Sequence, residues 1–229
     1  MSMLSKVWRA MLANPFRLLP VSFAVMIGLG TLLLLLPQAT VAGRKTTVLD
    51  ALFTATSAVC VTGLSVVDTA THWTGFGQGM ILLLIQIGGL GIVTVVSIGI
   101  VLLADRIGLS HTRILAADLR VDSYSDVPKL VRNIVLTTVA FEAVFALVLT
   151  ARFFFAHDYE LQTAAVHGVF HSISAWNNAG FALYTDNFLG FANDWFFSIA
   201  VCLAVILGGI GFPVLRTLAV HKFKWRMWP

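Results

Sequence analysis

Charge is what this sequence has least of. Only 11% of its 229 residues are Asp, Glu, Lys or Arg, whereas an ordinary soluble domain carries about 25%. Three long stretches contain no charged residue, and each can hold the roughly 20 apolar residues that cross a bilayer. They lie between Arg17 and Arg44, between Asp68 and Asp105, and between Asp194 and Arg216. The scarcity of charge argues against a soluble domain and predicts an all-α integral membrane protein.

Cysteine is nearly absent as well. Cys60 and Cys202 are far apart in the sequence, so neither a disulfide framework nor a zinc site is indicated. The sequence also lacks a nucleophile–base set, a metal-ligand cluster and a phosphate-binding loop, which disfavours an enzyme. We therefore expect no cofactor and no catalytic residue.

Four predicted spans account for the apolar stretches: 18–36, 77–104, 133–155 and 195–220. The first is longer than the ~7–15 apolar residues of a signal peptide, so a cleaved leader is the weaker alternative. The third contains Glu142, and a carboxylate at that depth should face protein or water. We interpret Glu142 as a hydrogen-bonding partner of a neighbouring helix, with a role in ion passage as the alternative.

The distribution of positive charge predicts the orientation, because Lys and Arg concentrate on the cytoplasmic side of a membrane protein. Of the 15 Lys and Arg residues, all except Arg44, Lys45 and Arg152 fall in the N-terminal segment, the central loop and the C-terminal tail. We therefore place both termini in the cytoplasm of a multi-pass protein in the cell membrane. The net charge of +4 is then a topology signal, and nucleic-acid binding is not expected.

The opposite, outer side is acidic, which suits the capture of cations. Three of its acids are candidates for an outer vestibule, and the alternative is that they are ordinary solvated loop charges. The six acids are Asp50, Asp68, Asp158, Glu160, Asp186 and Asp194, of which Asp50, Asp68 and Asp186 are the vestibule candidates.

An internal repeat divides the chain into two units. Residues 50–64 (DALFTATSAVCVTGL) align with residues 167–181 (HGVFHSISAWNNAGF) at a constant offset of 117, so that Gly63 matches Gly180. The glycines of IGGLGI at 87–92 return in LGGIGF at 207–212, at an offset of 120. The repeat predicts one unit at 1–105, a cytoplasmic linker with an amphipathic helix at 106–127, and a second unit at 128–229.

Each unit contains an apolar stretch that is too short to span, at about 49–58 or 161–175, followed by a glycine. Ten helical residues rise only about 15 Å, half of a core that is ~30 Å thick. The chain must then return as irregular backbone, which is tolerated only inside protein or beside water. A glycine after a short helix is commonly a C-cap. Its repetition between two spans favours a pore loop, whose carbonyl oxygens replace the hydration shell of an ion.

Four motifs resemble those of the Trk/Ktr/HKT superfamily of potassium transporters, and the bacterial Ktr-type (TrkH/KtrB-like) membrane pore subunit most closely. They are TATSAVCVTGLSVVDT at 54–69, LIQIGGLGIVT at 84–94, RIGLS at 106–110 and SAWNNAGF at 174–181. The resemblance covers nearly the whole chain and matches the first two of the family's four repeats.

The resemblance implies potassium uptake through a pseudo-tetrameric, potassium-channel-like pore in which each repeat contributes one filter glycine. The implied selectivity-filter residues are Cys60, Val61, Thr62, Gly63, Asn177, Asn178, Ala179 and Gly180. It also implies a bacterial source, pairing as a membrane dimer, and a cytosolic ring of nucleotide-binding regulatory subunits of the KtrA/TrkA type.

The chain has two repeats where the family has four. We therefore expect it to be one half of a pore subunit, which pairs with a second copy or with another half. The alternative is a truncated, non-conducting membrane scaffold that binds partner chains.

Overall fold

The computed structural model describes residues 15–91, 127–210 and Leu215. The predicted amphipathic helix of the linker lies outside these residues, as do parts of the spans predicted at 77–104 and 195–220. The helices, numbered in chain order, are α1 (Pro15–Leu34), α2 (Val48–Val59), α3 (Thr69–His72), α4 (Gly75–Gly89), α5 (Val127–Ala156), α6 (Leu161–Trp176) and α7 (Trp195–Ile210). A 3-10 turn, Leu189–Phe191, precedes α7.

Two of these helices, α2 and α6, coincide with the stretches predicted to be too short to span and are here called the half-length helices. Helix α2 has 12 residues and α6 has 16, so they rise about 18 and 24 Å, less than the ~30 Å of a bilayer core. A capping box sets the start of α2: the Asp50 N–H donates to Thr47 Oγ1 at 3.1 Å, and the Thr47 N–H donates to Asp50 Oδ2 at 2.9 Å. The cap satisfies backbone donors that the first turn leaves free.

In the first unit, the end of α1 and the start of α4 lie at the same end of the structure. The Thr74 N–H donates to the Ala39 carbonyl at 2.9 Å, and Thr40 and Trp73 form a single antiparallel bridge. Gly77 lies directly against the Ala39 carbonyl. The chain therefore leaves α1, enters and leaves the half-length helix α2, and begins α4 beside its starting point.

In the second unit, an ion pair joins the end of the first long helix, α5, to the start of the last, α7. Asp194 Oδ2 accepts from Arg152 Nε and pairs with His157 Nε2, both at 2.8 Å, and Asp194 Oδ1 accepts from the Phe197 N–H at 3.1 Å. Burial opposes ionisation, but the hydrogen bonds from Arg152, Phe197 and His157 outweigh it and hold the pKa of Asp194 below its ordinary value. The end of α5 is thereby fixed to the start of α7.

The two units have different cores. Aliphatic side chains fill the space between α1, α2 and α4, with Leu34, Ile81 and Ile85 fully buried. Aromatic side chains fill the second unit, where Phe153 contacts Phe191 and Phe197 at ring-centroid distances of 5.6 and 5.7 Å. Helix α4 also packs against α6, and this contact joins the units.

The predicted all-α fold is confirmed for the described ranges, which contain helices and no strand, apart from the single Thr40–Trp73 bridge. In these ranges one helix segment, Val131–Ala156, is long and apolar enough to cross a membrane. It coincides with the predicted span 133–155. The other predicted spans appear as shorter apolar helices: Pro20–Leu34, Gly75–Gly89 and Trp195–Ile210.

Candidate functional site

The candidate site consists of two return segments, residues 60–63 and 177–180, which follow the half-length helices. In both segments the second and fourth residues have a positive, left-handed φ. In the first, Val61 has φ +54° and Gly63 has φ +71°, and in the second, Asn178 has φ +57° and Gly180 has φ +73°. Because a left-handed φ is unfavourable for Val, its use at Val61 shows that the surrounding structure imposes this backbone.

The hydrogen bonds at the start of each return segment repeat as well. In each segment, the N–H of the second residue donates to the carbonyl three positions earlier in the chain. The N–H of the third residue donates to the carbonyl five positions earlier. These bonds are Val61 to Ala58 O (3.2 Å), Thr62 to Ser57 O (2.9 Å), Asn178 to Ala175 O (3.0 Å) and Ala179 to Ser174 O (2.7 Å). They satisfy carbonyls at the end of each half-length helix and give both segments the same hydrogen-bonded start.

The carbonyl oxygens of the return segments are left nearly free. Within residues 15–91 and 127–210, no hydrogen bond is accepted by the carbonyls of residues 60–63 or 177–179, and Gly180 O accepts one from Asn187 Nδ2 at 3.5 Å. Most residues of the two segments are exposed or half-buried, so these oxygens are available to solvent or to an ion.

The two segments meet at their glycines. A Cβ atom built on Gly63 would lie 2.5 Å from the Ala179 carbonyl oxygen and 3.0 Å from Gly180 Cα, and one built on Gly180 would lie 3.3 Å from Gly63 Cα. Sequence analysis predicted both glycines as filter residues from their register. In the structure the two glycines lie face to face, so a side chain on Gly63 would push against the other segment.

A second pair of glycines holds the half-length helices in place. A Cβ on Gly88 of α4 would clash with the Val59 carbonyl, and one on Gly208 of α7 would clash with the Trp176 carbonyl. Val59 and Trp176 are equivalent by the repeat, and each is the last residue of its half-length helix. Glycine at these positions lets a neighbouring helix approach as closely as small residues allow in membrane proteins.

We expect Gly88→Ala to destabilise the protein, because its methyl group overlaps the Val59 carbonyl; overpacking of this kind costs about 1–3 kcal/mol. The matched control is Gly79→Ala in the same helix, where a Cβ meets nothing within 4 Å and alanine should stabilise by up to about 1 kcal/mol. Thermal unfolding in detergent measures both. Equal unfolding temperatures for the two variants would contradict the close approach.

The three acids predicted for an outer vestibule lie in different surroundings. Asp50 is the partner of the N-cap residue Thr47 in the capping box of α2, and Asp186 is exposed. Asp68 caps α3 and accepts from Thr185 Oγ1 of the second unit at 2.6 Å. Partial burial opposes ionisation of Asp68, but the hydrogen bonds from Thr185, Ala70 and Thr71 outweigh it and lower its pKa. Asp68 therefore places a negative charge where a loop of the first unit meets a loop of the second.

Glu142 is buried, and it contacts the second half-length helix at two points. Its backbone carbonyl accepts from Ser172 Oγ at 2.6 Å, and its carboxylate accepts from Asn177 Nδ2 at 3.1 Å. These contacts support its interpretation as a hydrogen-bonding partner. A second partner, Gln86, was not predicted, although a single polar residue in the apolar run of α4 was the signal that could have found it.

Comparison with known proteins defines the class. The family profile named TrkH, described as a cation transport protein, matches residues 6–228. The chain belongs to the TrkH family of cation transport proteins, which confirms the predicted family. Its members are membrane transporters and not a class of enzyme, so the chain is a membrane protein.

Named relatives narrow the class to the bacterial Ktr type. The Ktr system potassium uptake protein B of Bacillus subtilis is 38% identical over 212 residues, which are 92% of this chain and 47% of that protein. Its namesake from Vibrio alginolyticus is 37% identical over 93% of this chain and 44% of its own length. The potassium/sodium uptake protein NtpJ of Enterococcus hirae is 35% identical over 92% of this chain and 47% of its own length. The chain spans about half the length of the curated relatives it matches.

Proposed function

We propose that the chain forms half of a potassium-uptake pore in the bacterial cell membrane, with the return segments 60–63 and 177–180 as parts of its selectivity filter. The observation that carries the proposal is the backbone conformation that both segments share, with free carbonyl oxygens and with Gly63 facing Gly180. The relatives' names, which refer to potassium uptake, support potassium as the transported ion.

The chemistry required of such a filter is the replacement of water. Transfer of a unit charge into a dry medium costs on the order of 20 kcal/mol by the Born estimate, and rings of carbonyl oxygens offset that cost. Backbone that alternates between right- and left-handed residues turns successive carbonyls towards one side, and Gly63 and Gly180 adopt the left-handed angle without strain. The half-length helices support the segments from behind.

The rest of the assembly follows from the size of the filter. Four segments encircle a potassium ion in filters of this kind, and this chain supplies two. The others would come from a second copy or from another half, and a cytosolic nucleotide-binding ring of the KtrA/TrkA type would regulate the complex. Asp68, and less directly Asp50 and Asp186, would concentrate cations at the outer mouth.

The test of the proposal is rubidium uptake by cells that lack their own potassium uptake. Cells that produce a complete, four-segment protein carrying this sequence should grow at low potassium, and potassium should compete with rubidium more strongly than sodium does. A membrane-inserted complete protein that neither restores growth nor takes up rubidium would support the rival function, a non-conducting scaffold. The rival function is also suggested by the match to only about half of each relative's length.

The proposed orientation has both termini in the cytoplasm, and cysteine labelling tests it. After Cys60 and Cys202 are replaced by serine, single cysteines at Lys45 and Asp158, both exposed, should react with an impermeant reagent from outside. A cysteine at Arg113, which lies outside the described residues, should react only after the membrane is opened. The reverse pattern of labelling would contradict the orientation.

A further inference from the structure

Three polar side chains form a closed ring of hydrogen bonds behind the second return segment. Gln86 Nε2 donates to Glu142 Oε2 at 3.1 Å, Asn177 Nδ2 donates to Glu142 Oε1 at 3.1 Å, and Asn177 Nδ2 also donates to Gln86 Oε1 at 3.3 Å. Both carboxylate oxygens and both polar atoms of the Gln86 amide are engaged. The three residues are called the amide–carboxylate ring below.

The ring connects the two units at the filter. Gln86 belongs to α4 of the first unit, Glu142 to α5 of the second, and Asn177 is both the C-cap of α6 and the first residue of the second return segment. The ring holds the Asn177 side chain against Gln86 of α4 and Glu142 of α5. The position of this segment relative to the first unit therefore depends on the ring.

The first return segment has a different residue at the equivalent position. Cys60 matches Asn177 at the offset of 117, and Ile206 matches Gln86 at the offset of 120. A thiol cannot donate the hydrogen bonds that the Asn177 amide donates to Glu142 and Gln86. The ring therefore breaks the symmetry of the repeat, and it acts on one of the two return segments.

Glu142 cannot contact a passing ion directly in this arrangement. Its side chain is buried, with 7% of the residue exposed, and each of its oxygens accepts from an amide nitrogen. A charged acceptor that loses its donors inside protein costs more than the hydrogen bond itself contributes. Any influence of Glu142 on transport must therefore act through its partners, Gln86 of α4 and Asn177 with the backbone that follows it.

We propose that Glu142 is a positioning residue: through the amide–carboxylate ring it holds return segment 177–180 against the first unit, and it thereby determines how strongly the filter prefers potassium over sodium. This inference rests on the proposed function of the return segments. It predicts that Glu142, which lies outside the filter motifs, contributes to selectivity.

The experiment exchanges the two sides of the ring in the complete protein. In Glu142→Gln, two amides face each other at positions 86 and 142. In Gln86→Glu, two carboxylates face each other. The double exchange again places one amide against one carboxylate. We expect each single change to reduce the preference for potassium over sodium by about tenfold, as for loss of a hydrogen bond to a charged group. The double exchange should return to within about threefold of the original, because the two changes compensate.

The measurement is inhibition of rubidium uptake by potassium and by sodium, normalised to membrane-inserted protein. Glu160→Gln removes an exposed carboxylate and should leave selectivity unchanged. Three results would overturn the proposal: unchanged selectivity in both single variants, no recovery in the double exchange, or failure of the single variants to insert, since the ring would then serve folding alone.

Parallel serine variants of Gly63 and Gly180 separate this inference from the proposed function. If they change selectivity and the ring variants do not, only the role of Glu142 is wrong. If they leave selectivity unchanged, the filter assignment itself is wrong, and the inference is overturned with it.

Discussion

Serine in place of Gly63, in a complete protein that carries this sequence, should reduce the preference for potassium over sodium by about tenfold or more. Two physical effects act together. The left-handed backbone at φ +71° costs a residue with a side chain roughly 1–2 kcal/mol. The new Cβ would also lie 2.5 Å from the Ala179 carbonyl oxygen, so relief of the clash must move a carbonyl of the second return segment.

Gly180→Ser should have a smaller effect in the same direction, because its Cβ would meet only Gly63 Cα, at 3.3 Å. The measurement is rubidium uptake against potassium and sodium, normalised to the amount of membrane-inserted protein. The matched control is Gly43→Ser, which has the same left-handed backbone, with φ +84°, but open space around the new side chain. It carries the same backbone strain outside the filter and should leave selectivity unchanged.

Unchanged affinity and selectivity in both Gly63→Ser and Gly180→Ser would remove the filter assignment. A loss of inserted protein without a change in selectivity would contradict it as well, since that pattern belongs to a scaffold that is merely destabilised.

The chain produced alone as a monomer should support no potassium uptake at all. Two return segments leave half of the ion's surroundings without carbonyl oxygens, and the cost of dehydration is then not offset. Joining the chain to a half that supplies two further segments, or forcing it to pair with a second copy, should restore uptake. Growth of a potassium-uptake-deficient bacterium at low potassium, together with rubidium uptake, measures the difference.

The oligomeric state decides how that result is interpreted. Protein purified in mild detergent should be a monomer when uptake is absent and a larger assembly when uptake is present. As a control, the joined protein with Gly63→Ser should insert normally and yet lose its preference for potassium. Strong uptake by a proven monomer would show that two segments suffice and that the four-segment filter is wrong.

Sequence by itself was sufficient for the family, the all-α class and the unusual backbone angles of Gly63 and Gly180, because each depends on local pattern. Apolar stretches predict helices in a bilayer whatever their neighbours, and a glycine in constant register marks a backbone position that needs unusual angles. The half-length helices followed from the same reasoning, since their lengths are set by short apolar runs and by caps such as Thr47 with Asp50.

Tertiary structure alone decided which residues of the two units meet. The contact of Gly63 with Ala179 and Gly180, and the bond from Thr185 to Asp68, join residues more than a hundred positions apart. Gln86 and Glu142 looked like isolated polar residues in apolar helices, and sequence predicted only that Glu142 needs a partner. The partner is set by how α4 packs against α5 and α6, because a hydrogen bond depends on distance and direction in space and a linear pattern specifies neither.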